Sequence, residues 1–407
     1  MTGNVEESSR PEAPIAVGVG AAEGTDGRKA VQTALESALG SLGEPPALVV
    51  LSAGTGYDLR EVIKCATALC DPSLLIGGSV AAPIFTESGV LAGERGRVVG
   101  ALALSGPGVR AGVGAADLSR APRRAGETAA QLALDQARHR ERSPRAMLVF
   151  MPPGAEEQVL QGVVTVVGRG VPLWGCTVAD EDLSGRWAVF HHGTADPGAV
   201  TVAVLYGEFL AGSAFGSGYW LSASSASASE VDGRMVGKLD GSAAADVYAA
   251  WLGADPGDLV GAELRRRAVS QPWGVEDARS QHLLVKEPGT LAGTGSVGLF
   301  ADVREGETVR LLSSTAESLL AATSAAAAEA LGRASLPAGL VRGVLLAHGA
   351  GRALSLRERV RSVPAQLLPV TGGAPVLGMS GYGEQSSLPD GRPAHLNLSV
   401  SILALGG

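Results

Sequence analysis

The 407-residue chain is long enough for two to three domains of about 150 residues, so a lone small domain is excluded. Its 33 Lys and Arg against 41 Asp and Glu give a net charge of −8, which argues against nucleic acid or an anionic membrane as the main partner. With 45% hydrophobic and 18% charged residues the chain is composed to fold, and three cysteines without a Cys-x-x-Cys pair exclude a disulfide framework and point to a reducing, cytoplasmic setting.

Residues 1–12 are polar and acidic, with no apolar stretch of signal-peptide type, and read as a disordered tail. Ile15–Val19 is a short buried strand, and Arg28–Leu39 carries Val31, Ala34, Leu35 and Leu39 on one helical face. Ala47–Leu51 is a continuous apolar strand. Asp58 and Glu61 form an Asp-x-x-Glu capping pair, and the helix they open runs to about Leu69, with Cys65 and Cys70 in or just beyond it. Leu74–Ala81 enters a hairpin-like stretch, and Val98–Leu104 closes the unit as a strand.

About one hundred residues later the pattern returns. Leu48–Leu51 with Gly54 corresponds to Leu148–Met151 with Gly154, and Leu75–Ala81 to Leu173–Ala179. Gly96–Leu104 corresponds to Gly198–Leu205. A fainter third copy runs through Val344–Leu346, Val376–Ser380 and the closing strand Leu396–Leu405. A second domain is expected from about residue 212. There Tyr219–Leu221 leads to an Asp232-Gly233 hairpin, and Asp240–Ser242 caps a helix to Leu252. Arg265–Arg267 lies in the connection beyond it, meander strands follow to Leu312, and Thr315–Leu331 is an Ala-rich helix. The longest uncharged run, Phe209–Ser229, holds too much Ser and Gly to span a bilayer. The fold class is α/β: stacked mixed sheets flanked by helices, a duplicated N-terminal domain over 13–211 and a related C-terminal domain over 212–407.

The paired Gly-x-Ser/Thr turns, Asp232-Gly233 followed by Leu239–Gly241, and Val303–Gly306 before a strand are one part of a distinctive order. The ending Gly381-Tyr382-Gly383-Glu384 to His395-Leu396-Asn397 is the other. Together they resemble the FIST proteins, with an N-terminal and a C-terminal FIST domain, over about residues 13–406. That family's last motif reads aromatic-Gly-Glu and then His-Asn-x-Thr; here Leu396 intervenes and Ser399 takes the Thr position. Where the family carries a Cys before Gly-x-Arg, this chain has Ala347-His348-Gly349-Ala350-Gly351-Arg352. The resemblance implies a sensory module for intracellular signalling that binds small ligands such as amino acids.

The residues themselves offer three constellations. Tyr382, Gly383 and Glu384 form a Gly-rich turn whose carboxylate would grip an ammonium while free N–H groups take a carboxylate, with His395 and Asn397 adding donors from one strand face. The alternative is that Glu384 and Asn397 only tie the loop down. Gly77, Gly78 and Ser79 and their counterparts Gly175, Cys176 and Thr177 form two turns at strand ends, either a pocket wall or close packing that only Gly permits. His348 and Arg352, at a strand end, face an anion or make a surface salt bridge. His191 and His192 point oppositely and lack a third ligand, so no metal is expected, and no cofactor motif stands in its proper context.

The expected function is a ligand sensor for a small polar metabolite, with no nucleic acid or membrane partner. Since the last strand ends almost at Gly407, the signal passes to a separate partner protein. A hydrolase or transferase using Glu384, His395 or Cys176 is the rival, and a ligand-free scaffold the third possibility.

Overall fold

The computed structural model describes residues 14–119, 121–139 and 142–407, so the expected tail over 1–12 lies outside the described residues. The architecture is the expected mixed α/β one, organised as three units around a common centre. The first unit runs Ala16–Glu23, helix Gly27–Gly40, Leu48–Gly54, helix Leu59–Ala66, Leu75–Thr86 and Val98–Ser105. The second runs Arg110–Asp117, helix Pro122–Ala137, Ala146–Met151, helix Glu156–Val167, Leu173–Thr177 and Ala199–Tyr206. The third starts with Leu210–Gly216 and resumes with helix Ala316–Ala334 and strand Val341–Gly349. Helices Ala350–Leu356 and Val363–Thr371 and strands Val376–Gly381 and Val400–Gly406 complete it.

All three units share one pairing scheme. The first strand lies antiparallel to the last, the last antiparallel to the second, and the second parallel to the third. Between the first strand and the long helix of the third unit, residues 220–313 build a separate antiparallel sheet.

The units are locked by a cyclic exchange. The end of each unit's third strand, or the chain beyond it, pairs with the third strand of another unit: Ala81 and Ile84–Phe85 with Gly378–Ser380, Val189–His191 with Ile76–Gly78, and Gly383–Ser386 with Trp174–Thr177. Hydroxyls reinforce two of these crossings, Ser79 donating to the Ala179 carbonyl at 2.8 Å and Ser380 to the Pro83 carbonyl at 2.8 Å.

The Gly- and Ala-rich composition has its cause in the helix–strand contacts. A Cβ on Gly18 would stand 2.0 Å from the Ala38 carbonyl oxygen, one on Gly112 2.0 Å from that of Ala133, and one on Gly212 2.2 Å from that of Ala330. The first strand of every unit therefore runs against helix backbone, and only glycine facing alanine permits that approach.

Several local expectations change. The helix opened by Asp58 ends at Ala66, because Leu69 is left exposed and Pro72 soon follows, so no burial supports a further turn. Glu61 pairs with Arg28 at 3.0 Å instead of closing a capping box. Asp240 is not a helix cap: it takes a left-handed φ of 48° and accepts the Ser227 amide at 2.8 Å, and the helix begins after Ala243. Arg265–Arg267 lies on helix Gly261–Ser270, where Glu263 holds Arg266 and Arg267. The stretches Gly77–Ser79 and Gly175–Thr177 are central strand segments and not turns, since both are ladder-bonded on two sides.

Candidate functional site

Two polar nodes form where the third unit meets the second and the inserted sheet. The inner node gathers around Glu384. Gly381–Glu384 was expected as an open turn, but it is a strand-to-strand crossing: Glu384 stands opposite Cys176 on one side and Leu396 on the other. Its strand is paired on both sides, so its backbone N–H groups face ladder partners and not an open turn. The flanking glycines serve packing. A Cβ on Gly381 would lie 2.4 Å from Cys176 Sγ, and one on Gly383 2.3 Å from His395 Cε1.

Glu384 is fully buried. Its Oε2 accepts the Ser399 amide at 2.9 Å, while its Oε1 has no partner among the described residues. Oε1 abuts Gly349, whose Cβ position lies 3.0 Å away. Burial raises this carboxyl well above its usual range and Glu287 adds to the rise, against the Ser399 amide and Arg352. Glu287 Oε1 in turn lies 3.2 Å from the Cβ position of Gly351, and burial pushes that carboxyl up to about 8.

Strand Val341–Gly349 and the helical turn after it supply the opposing charge. Arg352 is fully buried; its Nη2 donates to the Leu319 carbonyl, but Nε and Nη1 have no partner among the described residues. Burial lowers it to about 10, against the pull of Tyr219 and Glu384. His348 Nδ1 donates to the Gly349 carbonyl at 3.0 Å, which leaves Nε2 a bare, buried acceptor. Burial, with Arg352 nearby, keeps this imidazole neutral. Asn397 Oδ1 accepts the Glu287 amide at 3.2 Å. Glu384, His348 and Arg352 thus lie buried within electrostatic reach of one another, while Asn397 stands between the Glu287 amide and His395 Nε2, 3.5 Å away, and the His348–Arg352 pair is internal and not a surface bridge.

The outer node lines a cleft of about 1280 Å³ between helix Glu156–Val167 and the inserted sheet. Arg234 Nη2 donates to Glu156 Oε2 and to Glu157 Oε2, both at 2.6 Å, and the Asp302 amide donates to Glu157 Oε1 at 2.8 Å. Burial opposes ionisation of Glu157, yet His395, Arg234 and the Asp302 amide outweigh it and bring it down to about 2. His395 belongs here and not with Glu384: its Nε2 donates to the Phe300 carbonyl at 3.1 Å and lies 3.7 Å from Glu156 Oε1. Thr177 joins the same node, donating to Glu156 Oε1 at 3.3 Å and accepting from Gln385 at 2.7 Å.

Among the described residues, Glu156, Glu157 and His395 make the one group with metal-ligand spacing. Arg234 already supplies the cation between both carboxylates, and His395 Nε2 carries the proton it gives to Phe300, so the set is a closed ion cluster and not a metal centre.

The other candidates stand apart. Tyr382 donates its hydroxyl to Asp180 at 2.5 Å, away from the inner node. Gly77 and Gly78 are packing positions, the latter with a Cβ site 2.3 Å from Val178 Cγ1, and Ser79 is engaged with Ala179. Gly175 likewise packs against the Val149 carbonyl. Cys176 is fully buried, and burial with Glu384 beside it drives the thiol far above its usual range. Glu156, Arg234, Lys286, Glu287 and Asp302 were not singled out from the sequence. Glu156-Glu157 reads there as an ordinary acidic helix start.

Among the described residues no helix is long and apolar enough to cross a membrane. No curated protein matches the chain. The solved structures similar to it include a cyanuric acid hydrolase from A. caulinodans, at 10% identity and a TM-score of 0.37 over 97% of this chain and 100% of that one. A chorismatase follows at 10% identity and a TM-score of 0.35 over 98% and 100%. Likenesses this distant carry nothing about activity. Residues 15–242 match the FIST N domain and residues 244–387 the FIST C domain, so the chain belongs to the FIST family, whose domains are associated with signal transduction and sensing.

Proposed function

We propose that this protein is an intracellular sensor that binds a small zwitterionic metabolite, of amino-acid chemistry, at the inner node and signals through a separate partner protein. One observation carries the reading: Glu384 Oε1 and Arg352 Nη1 are both fully enclosed and both without a partner. A buried polar group left unpaired costs about 1–3 kcal/mol, more when charged, so both atoms are held ready for a ligand. An α-ammonium supplies what Glu384 and Glu287 lack, and an α-carboxylate what Arg352 lacks. His348 Nε2 adds an acceptor for a further ligand N–H. The shared pairing scheme supports reading the three units as repeats of one ancestral motif, with the inner node specific to the third.

The enzyme alternative rested on Glu384, His395 and Cys176. His395 faces Glu156, and the Cys176 thiol is held protonated, which supports binding over covalent chemistry.

The test is a thermal-shift screen of the purified chain against amino acids and related zwitterions. A ligand at about 100 times its Kd stabilises by about 2.7 kcal/mol. A shift abolished in both Glu384→Gln and Arg352→Met supports the sensor. A shift retained in both removes the inner node as its site, and no shift at millimolar concentrations favours the scaffold reading.

A further inference from the structure

We propose that the outer cleft is a second, separate ligand site for a small multivalent anion, received by Lys286 on its floor and by Arg169, Arg279 and Arg304 at its rim. The chain as a whole carries a charge of −8, so an anion site needs a local reversal, and the cleft provides one.

The carboxylates lining it are already engaged. Glu157 and Asp302 are held by Arg234, Asp277 by Arg392 at 2.6 Å, and Glu276 lies 3.8 Å from Arg310. Glu307 accepts the Arg304 amide at 2.9 Å. Against these, the side chains of Arg169, Arg279, Arg304 and Lys286 have no hydrogen-bond or ion-pair partner among the described residues. Seven Lys and Arg line the cleft against five Asp and Glu, so its walls carry a net positive charge even though Arg234 is shared among Glu156, Glu157 and Asp302.

Lys286 makes the cleft more than an exposed basic rim. It is 7% exposed and comes from strand Leu283–Lys286 beneath the cleft, where helix Glu156–Val167 faces the inserted sheet and Glu157, Glu307 and Asp302 act on its ammonium from a distance. Burying most of a lysine side chain is costly, and an anion on the cleft floor would offset that cost. Burial lowers the Lys286 pKa in spite of Glu157, Glu307 and Asp302, and an anion on the cleft floor would reverse that fall. Three rim guanidiniums suit the planar, bidentate demands of phosphate or carboxylate groups. The site shares no ligating side chain with the inner node, so its existence is independent of the sensor reading.

Isothermal titration of the full chain with inorganic pyrophosphate and, separately, with citrate tests the proposal. Binding of either anion is expected, weakening about tenfold or more in Lys286→Met and several-fold in Arg304→Gln, and falling as salt is raised. Tighter pyrophosphate binding assigns a phosphorylated ligand, and tighter citrate binding a polycarboxylate. Arg304→Gln lies on the exposed rim and keeps the test open if Lys286→Met folds poorly. Glu384→Gln should bind both anions as the parent does. Failure of both anions to bind at millimolar concentration, or unchanged affinity in the Lys286 and Arg304 variants, overturns the proposal.

Discussion

Ser399 donates its amide hydrogen to Glu384 Oε2 at 2.9 Å, and this single bond is all that the enclosed carboxyl receives from the described residues. One N–H cannot replace the water lost from an ionised carboxylate, so burial holds the Glu384 carboxyl well above its usual range. Its folded pKa exceeds its unfolded value near 4.3, so the unfolded state binds fewer protons above that pH and stability falls as pH rises. Glu384→Gln removes this dependence. The variant should melt higher than the parent at pH 7 to 8, with the gap closing towards pH 4 to 5. Calorimetric melting across that range checks it, and a parent-like slope in the variant would sink the assignment.

A ligand ammonium at this carboxyl changes its ionisation. Binding at pH 7 should release up to about one proton from Glu384 or Glu287, because a paired cation favours the charged form. Titration in two buffers of different ionisation enthalpy reads this directly. In Glu384→Gln the residual proton release would belong to Glu287, while a parent that releases none would mean the ligand pairs elsewhere.

Arg234 is the keystone of the outer node, since its guanidinium meets Glu156 and Glu157 at 2.6 Å each. Removing one partner of a buried pair costs about 3–5 kcal/mol by stranding the other charge. Arg234→Met should lose stability on this scale at pH 7. The Glu157 pKa lies below its unfolded value, so its contribution is present above about pH 4.5 and lost as pH falls towards 2. The penalty should therefore shrink in acid, which urea denaturation at pH 7 and pH 4 measures.

The three thiols differ enough to be ranked. Cys65 and Cys70 are partly exposed, and burial with Asp71 nearby pushes Cys70 up to about 11, whereas Cys176 is enclosed. Iodoacetamide followed by mass spectrometry should label Cys65 first, Cys70 slowly and Cys176 only after denaturation. Rapid labelling of native Cys176 would revive a nucleophilic role for it.

What the sequence disclosed follows the range of the interactions. Strands such as Leu48–Gly54 and Ala146–Met151 are apolar throughout, so their burial is written in a few adjacent residues. Glu384, His348, Arg352 and Asn397 were legible because glycines mark the crossings around them. The outer node was not, since Arg234 meets Glu157 across 77 residues and Asp302 meets it across 145. No local pattern encodes such a contact. The same limit hid the character of Gly77–Ser79: a Gly-Gly-Ser run reads as a turn, and its pairing with Leu51–Ala53 on one side and Val189–His191 on the other makes it a central strand.

The glycine–alanine contacts bear on stability in the same way in every unit. The Cβ site of Gly112 lies 2.0 Å from the Ala133 carbonyl oxygen and 2.9 Å from Ala137 Cβ, and neither backbone can withdraw without parting strand Arg110–Asp117 from helix Pro122–Ala137. Overpacking typically costs about 1–3 kcal/mol, and a rigid backbone neighbour leaves little room for relaxation. Gly112→Ala should therefore cost at least the upper part of that range by urea denaturation. Gly233→Ala, at a hairpin tip with open space around its Cβ site, should cost less despite its φ of 57°, about 1 kcal/mol. Equal losses at the two positions would mean that backbone conformation, and not helix–strand approach, sets the demand for glycine in this fold.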